Sequence, residues 1–486
     1  MKQDVAVFDR IAASGGGQTA VHPRTLALGL LALGLVLGAI LRFQHLGLTD
    51  LSADEGASWA SASASAVSAV VATEHRLDPG KLPLYDVMLH GWVRIFGDSV
   101  PAMRAMSAAL GTIAIVMVFA AVREVCRSLG GQSGGAIGDL AGALAALAYA
   151  VNFMMVASDR TARMYPVAMN AELAQIFFVV RAQRRGGWLN YAGAAIFTAA
   201  LVAANFTTSF LLLAEAFWFG CLLVAKAWRA PLEGLAIFRP GLAIAAGVAL
   251  LGPLLPWVFA SSHQAVAMGA ISWIKMGSIA WPYQVLRNAA GGKILFCSFV
   301  MLGAFGIWRH WRTAPLAPGF FLIWTLAPIV GVTAVSYLIH PLEFPRYVLI
   351  AFVGMFGLAA FGAASLRPAA VHLALAVALV GLSLGRAHHV IQHPYEAAWR
   401  EATDIAAAET APGEPIAVFP QYCDNVVRYY VSPDRRGAVR GIDDCGPQRV
   451  LILSGRHILP ADRIAAMEKC YPHMVRRLKL VEVRAR

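Results

Sequence analysis

The chain is poor in charge. Asp, Glu, Lys and Arg make up 14% of its 486 residues, where soluble domains carry roughly a quarter. A soluble protein of this length needs polar residues to cover its surface. With 58% hydrophobic residues and a mean hydropathy of +0.61, this chain needs lipid as its covering. Acidic residues are scarcer than basic ones, 28 against 40, for a net charge of +12. The Lys and Arg come in short clusters between apolar runs, which is the pattern of membrane topology rather than of a nucleic-acid stripe, so nucleic acid is not expected as a partner. Only six cysteines occur, with no CxxC pair and no zinc-like spacing, so no structural metal is expected. The first apolar run has a core (26–41) longer than a signal-peptide h-region and no A-x-A site directly after it, so it reads as a retained span. No internal repeat is visible.

What is present is a series of long apolar runs. Spanning a bilayer core takes about 20 apolar residues in a helix, and about eleven such runs occur, near 25–44, 102–122, 139–157, 165–181, 189–204, 209–227, 241–260, 294–308, 318–338, 346–364 and 370–387. Alternate short connections hold Arg24; Arg123 and Arg127; Arg181, Arg184 and Arg185; Lys226, Arg229 and Arg239; Arg309 and Arg312; and Arg367. The positive-inside rule places these in the cytoplasm. The fold class expected is therefore an all-α polytopic membrane protein with a cytoplasmic tail (1–24), a transmembrane domain (25–387) and a C-terminal domain (388–486) on the outer side. The outer face then carries the loop 45–101, the turns 158–165 and 340–346, and the loop 261–293. That last loop holds Trp273, Trp281, Tyr283 and a Gly291-Gly292 pair, suiting a mobile amphipathic lid.

The last hundred residues read as a small α/β domain. Pro412-Gly413-Glu414-Pro415 is a turn, 416–419 and 450–453 read as short buried strands, and 423–431 and 461–470 as helices. Outside the cytoplasm a cysteine pair can be oxidised, and Cys423 with Cys445 is the expected one.

Four segments gather the unusual polar residues on the outer face. The first is Leu51-Ser52-Ala53-Asp54-Glu55-Gly56-Ala57-Ser58-Trp59. A charge inside the bilayer costs roughly 3 kcal/mol even on lenient scales, so adjacent carboxylates beside a span call for a reason. Ser52-x-x-Glu55 also fits a capping box, which starts a helix with no chemistry at all. The second is Asp78-Pro79-Gly80-Lys81-Leu82-Pro83-Leu84-Tyr85, leading to His90-Gly91-Trp92 and Phe96-Gly97; it reads equally as a turn before an interfacial helix, with Lys81 as a snorkelling anchor. The others are Ser158-Asp159-Arg160-Thr161-Ala162-Arg163-Met164-Tyr165-Pro166 and Glu343-Phe344-Pro345-Arg346-Tyr347. Arginines at the outer ends of spans run against the positive-inside rule, and such residues pair with carboxylates or with lipid phosphate.

In this order, these segments resemble the polytopic GT-C glycosyltransferases that use lipid-phosphate sugars. That superfamily includes the protein mannosyltransferases, the lipid A aminoarabinose transferases and bacterial galacturonosyltransferases. The resemblance covers roughly residues 25–365. It departs from the family pattern at Leu82-Pro83, where two prolines are usual, and at Lys81, where His is also found.

The resemblance implies a multi-pass enzyme of the plasma (inner) membrane. Such an enzyme moves a monosaccharide from a polyprenyl-phosphate donor to an envelope glycolipid or protein, inverting the anomeric centre. It implies Asp54 as general base, which accepts the acceptor's proton, and Glu55 as its neighbour, orienting the acceptor or pairing with an arginine. Lys81, Arg163 and Arg346, with Arg160 and Arg104 next, are the candidates for gripping the donor phosphate, a task suited to the guanidinium fork. Asp159 would hold Arg163 or Arg160 or touch the sugar, and Tyr85, Tyr165 and Tyr347 would wall the cleft. No Asp-x-Asp and no glycine-rich phosphate loop calls for a nucleotide sugar. No cofactor is required, although Asp54 and Asp159 leave room for a divalent ion. The rival readings are a transporter or flippase, in which intramembrane charges line a path, and a non-catalytic scaffold.

Overall fold

The computed structural model describes residues 23–486 apart from 79–80, 229–231, 233, 255, 257, 261–262, 264–273, 275, 393–397 and 456–458. Nearly all of the expected N-terminal tail, Arg229, and the part of the expected lid that holds Trp273 lie outside the described residues. Apart from the run 241–260, part of which lies outside the described residues, each apolar run falls on helix, the run 139–157 on two helices that part at Asn152. Among the described residues, six helices are long and apolar enough to cross a membrane, or up to nine if each bent pair is one span. The chain is a multi-pass membrane protein.

Two of the bends have visible causes. The helices Ile137–Val151 and Phe153–Asp159 meet at 66°. Between them Asn152 leaves the helical conformation, and its side chain accepts the Met154 and Met155 N–H groups that start the next turn. Trp281–Ala290 and Lys293–His310 meet at 98°, across Gly291 and Gly292 at φ 96° and 119°. A Cβ is strained at both positions. The glycine pair expected in a mobile lid is thus a corner between two helices.

Small residues let the helices approach, as in membrane bundles generally. A Cβ at Gly38 would collide with Ile115 and press on Ala150. One at Gly111 would fall inside the Asp159 carboxyl, so Gly111 is what lets Asp159 lie against the helix Val100–Leu129. The two ends of the bundle differ in charge chemistry. Arg104 stands in the first turns of Val100–Leu129. Twenty-three residues on, about 35 Å at helical rise, Arg127 and Arg123 share Asp139, and Arg181 and Arg185 reach Glu124.

The C-terminal domain is a five-stranded sheet in the order β2-β1-β3-β5-β4. β1 (Ile416–Phe419) lies parallel to β2 (Val439–Gly441) and to β3 (Val450–Ser454), while β5 (Val481–Ala485) runs antiparallel to β3 and to β4 (His473–Arg477). β1 and β3, the two strands legible from apolar runs, are the fully buried ones. The disulfide joins Cys445 to Cys470, not Cys445 to Cys423. Cys423 is a buried free thiol, set in the short turn before the helix Asp424–Tyr430. That helix rests on Ala53–Ala62. The Tyr430 hydroxyl accepts the Leu51 N–H at 2.7 Å, Trp59 and Tyr429 meet edge to face, and a Cβ on Gly56 would collide with Val426.

Candidate active site

The capping box forms as the spacing implies. Ser52 Oγ accepts Glu55 N–H, and Glu55 Oε2 accepts Ser52 N–H. This starts the helix Ala53–Ala62 with Asp54 and Glu55 in its first turn, where the helix dipole favours negative charge. The two carboxylates then part company. Glu55 is fully buried and takes a fork from Arg104, Nε to Oε1 and Nη2 to Oε2, both at 2.8 Å. It also accepts the Ala162 N–H at 2.8 Å. Burial works to raise the Glu55 carboxyl, but the Arg104 charge and hydrogen bonds, with the N–H groups of Ser52 and Ala162, bring it below its ordinary value. Asp54, one residue earlier, keeps 54% of its side chain exposed.

Two arginines from distant parts of the chain converge on Asp54. Arg346 Nη1 lies 3.5 Å from Asp54 Oδ2. Buried Arg163 donates to the Asp54 carbonyl at 3.1 Å and to Ser58 Oγ at 3.2 Å, with Asp78 at 3.7 Å. Arg163 is held there because the turn that carries it hangs from Glu55 through Ala162. Arg346 stacks over Tyr165 and Phe344. Arg346, Tyr165 and Tyr347 line a small groove together with Glu172, Asn205, Thr207 and Thr208. Guanidinium groups beside an open carboxylate are able to pair with a phosphoester and to leave a proton acceptor next to it.

Other expected site residues are committed elsewhere. Lys81 is buried between Glu74 at 2.6 Å and Asp86 at 3.0 Å, with Ser61 donating to Glu74, so it braces the three loop helices. Arg104, besides Glu55, donates to the carbonyls of Leu46, Thr49 and Asp50. Every face of its guanidinium serves the loop. Arg160 donates to the carbonyls of Leu41, Arg42 and Gln44, satisfying the open end of the helix Pro23–Phe43. Asp159 holds neither Arg160 nor Arg163; it pairs with Arg42 and accepts from Tyr149. Tyr85 is fully buried near Ser107. Glu74, Asp86 and Arg42 were not singled out from the sequence. Glu74 and Asp86 close on Lys81 from the two helices that flank its loop, and Arg42 reaches Asp159 from a helix more than a hundred residues away. Among the described residues no three His, Cys, Asp or Glu side chains gather as a metal site, and Asp159 is engaged by Arg42.

The chain is a polytopic membrane protein with a C-terminal sheet domain, and solved structures share its fold. Among solved structures, the chain is similar to ArnT from Cupriavidus metallidurans in the apo state, with a TM-score of 0.61 at 14% identity over 95% of this chain and 98% of that one. The same enzyme bound to undecaprenyl phosphate matches at 0.57 and 13% identity, over 94% and 98%. The Archaeoglobus fulgidus oligosaccharyltransferase, in complex with Zn and sulfate, matches at 0.53 and 11% identity, over 91% and 71%. No protein-family model matches the sequence, and no curated protein does. The fold expected from the ordered motifs is the fold observed.

Proposed function

We propose that this chain is an inverting glycosyltransferase of the plasma (inner) membrane. It takes a monosaccharide from a polyprenyl-phosphate donor and passes it to an envelope glycolipid or protein on the outer face. The N-terminus is then cytoplasmic and the C-terminal domain periplasmic. The observation that carries the reading is the approach of Arg346 and Arg163 to exposed Asp54. An acceptor hydroxyl attacks the anomeric carbon as the C–O bond to phosphate breaks. The acceptor's proton passes to Asp54, and polyprenyl phosphate leaves with its growing negative charge set against the two guanidinium groups. One displacement inverts the anomeric centre. Glu55 serves as the anchor that places both Asp54 and Arg163.

The similarity to ArnT bound to undecaprenyl phosphate supports a lipid-phosphate donor. The gathering of basic clusters at the far end of the bundle supports the orientation. The test is mass spectrometry of envelope lipids and glycans from a strain lacking the protein, against the same strain carrying Asp54→Asn. A monosaccharide missing from one glycan in both is the expected result. The alternative, a transporter or flippase, draws on buried Glu172 and Glu215 inside membrane helices. It predicts an unchanged glycan profile with Asp54→Asn and a lost uptake or flipping activity in the deletion.

A further inference from the structure

Leu51 lies just before the capping box that starts the helix Ala53–Ala62. It is fully buried, and its N–H belongs neither to the box nor to the helix, so the group needs a partner from elsewhere. That partner comes from 379 positions along the chain, where the Tyr430 hydroxyl accepts the N–H at 2.7 Å. One residue before Leu51, the Asp50 carboxylate accepts the Arg400 backbone N–H at 2.9 Å. The Arg400 guanidinium lies 3.7 Å from Asp50 and stacks over the Tyr430 ring. Arg400 and Tyr430, both of the C-terminal domain, thus tie down the entrance to the helix that carries Asp54.

The stretch after Asp54 is held by the same domain. Gly56 has no room for a Cβ, which would fall 2.7 Å from the Val426 nitrogen. A turn later Trp59 donates to the Asp98 carboxylate at 3.0 Å, the Asp98 carbonyl accepts the Tyr429 hydroxyl at 3.1 Å, and Arg436 lies over the Trp59 ring. Val426, Tyr429 and Tyr430 all belong to one short helix, Asp424–Tyr430. The capping box fixes Ser52 and Glu55 relative to each other, but it does not set where the helix points. Contacts three residues before Asp54 and two residues after it do. A reacting group displaced by about 1 Å can lose about 10²-fold in rate, so what sets this helix sets the base.

We infer that the C-terminal domain places the general base, with Tyr430 as a positioning residue that acts through Asp54. This rests on the role of Asp54 in the proposed function and adds the part of the chain that aims it. Tyr430 serves neither donor nor acceptor, so its hydroxyl reaches the rate only by way of Leu51 and the helix that follows.

The experiment is a double-variant cycle on the full chain, expressed in a strain that lacks it. Mass spectrometry follows the initial rate at which a monosaccharide is added to envelope glycans, per folded protein, for the wild type, Tyr430→Phe, Asp54→Asn and the pair combined. The affinity of each purified chain for undecaprenyl phosphate is measured alongside. Tyr430→Phe keeps the ring under Arg400 and removes only the hydroxyl. It is expected to lower transfer tenfold or more while holding undecaprenyl phosphate within twofold. Added to Asp54→Asn it is expected to change the rate less than twofold, because a base already lost cannot be misplaced. An equal fall in both backgrounds makes Tyr430 merely structural and overturns the inference. Wild-type transfer by Tyr430→Phe overturns it too, as does lipid binding that weakens in step with transfer. Where Tyr430→Phe leaves too little folded protein, Arg400→Gln is put through the same cycle and read by the same outcomes. Wild-type transfer by Asp54→Asn strikes the proposed function itself, a result distinct from all of these.

Discussion

Glu55 and Arg104 form a buried two-bond fork at 2.8 Å on each side, and on it hangs the geometry of the residue before Glu55. The same carboxylate holds Ala162, so one side chain ties the helix that presents Asp54 to the turn that presents Arg163. Breaking a buried pair by removing one partner costs about 3–5 kcal/mol. Arg104→Met is therefore expected to lower the unfolding temperature sharply and to abolish activity together with it.

The Glu55 carboxyl also gives a pH signature. Its folded value lies below the ordinary 4.5. Its contribution to stability is therefore complete above about pH 4.5 and is lost as pH falls through the lower folded value. The unfolding temperature of the wild type is expected to exceed that of Glu55→Gln near neutral pH. The gap should close in acid, as followed from about pH 7 to about pH 3.

Asp54 is the opposite case. Half-exposed ion pairs contribute only about 0–1 kcal/mol, so Asp54→Asn should unfold close to the wild type. Loss of a general base costs roughly 10²–10⁴ in rate, and transfer to acceptor in membranes should fall by that factor. A drop in stability of the size expected for Arg104→Met would make Asp54 structural instead.

Lys81 should behave as a brace. Lys81→Met leaves Glu74 and Asp86 buried without their cation and should destabilise by about 3–5 kcal/mol. Adding Glu74→Gln and Asp86→Asn should recover much of that loss. A Lys81→Met protein that folds normally but no longer binds undecaprenyl phosphate would return Lys81 to the phosphate site.

The bond between Cys445 and Cys470 closes a separation of 25 residues, worth about 3 kcal/mol by chain entropy. Non-reducing peptide mapping should find this pair and a free Cys423. The double variant Cys445→Ser/Cys470→Ser should loosen the C-terminal domain. A Cys423–Cys445 peptide would contradict the structure.

Much of the fold was legible because lipid imposes a simple rule: apolar runs of near-constant length must be helices. Ser52 and Glu55 announced their helix start through a local hydrogen-bond pattern, and the ordered motifs brought Asp54, Arg163 and Arg346 into view together. What escaped was partner choice. Nothing near Asp159 in the sequence reveals Arg42, more than a hundred positions earlier, and nothing near Lys81 tells a phosphate ligand from a cation enclosed by Glu74 and Asp86. The strands β4 and β5 were missed for a related reason: their basic and acidic residues, Arg477, Glu482 and Arg484, pair among themselves and hide the apolar alternation.

Arg346, beside Asp54, is proposed to hold a lipid-borne phosphate, and the affinity of the purified full chain for undecaprenyl phosphate tests this directly. Arg346→Gln is expected to weaken binding tenfold or more. Asp54→Asn, which removes a negative charge 3.5 Å from that guanidinium, should bind as well as the wild type or better. Wild-type affinity in Arg346→Gln, or weakened binding in Asp54→Asn, would contradict the claim.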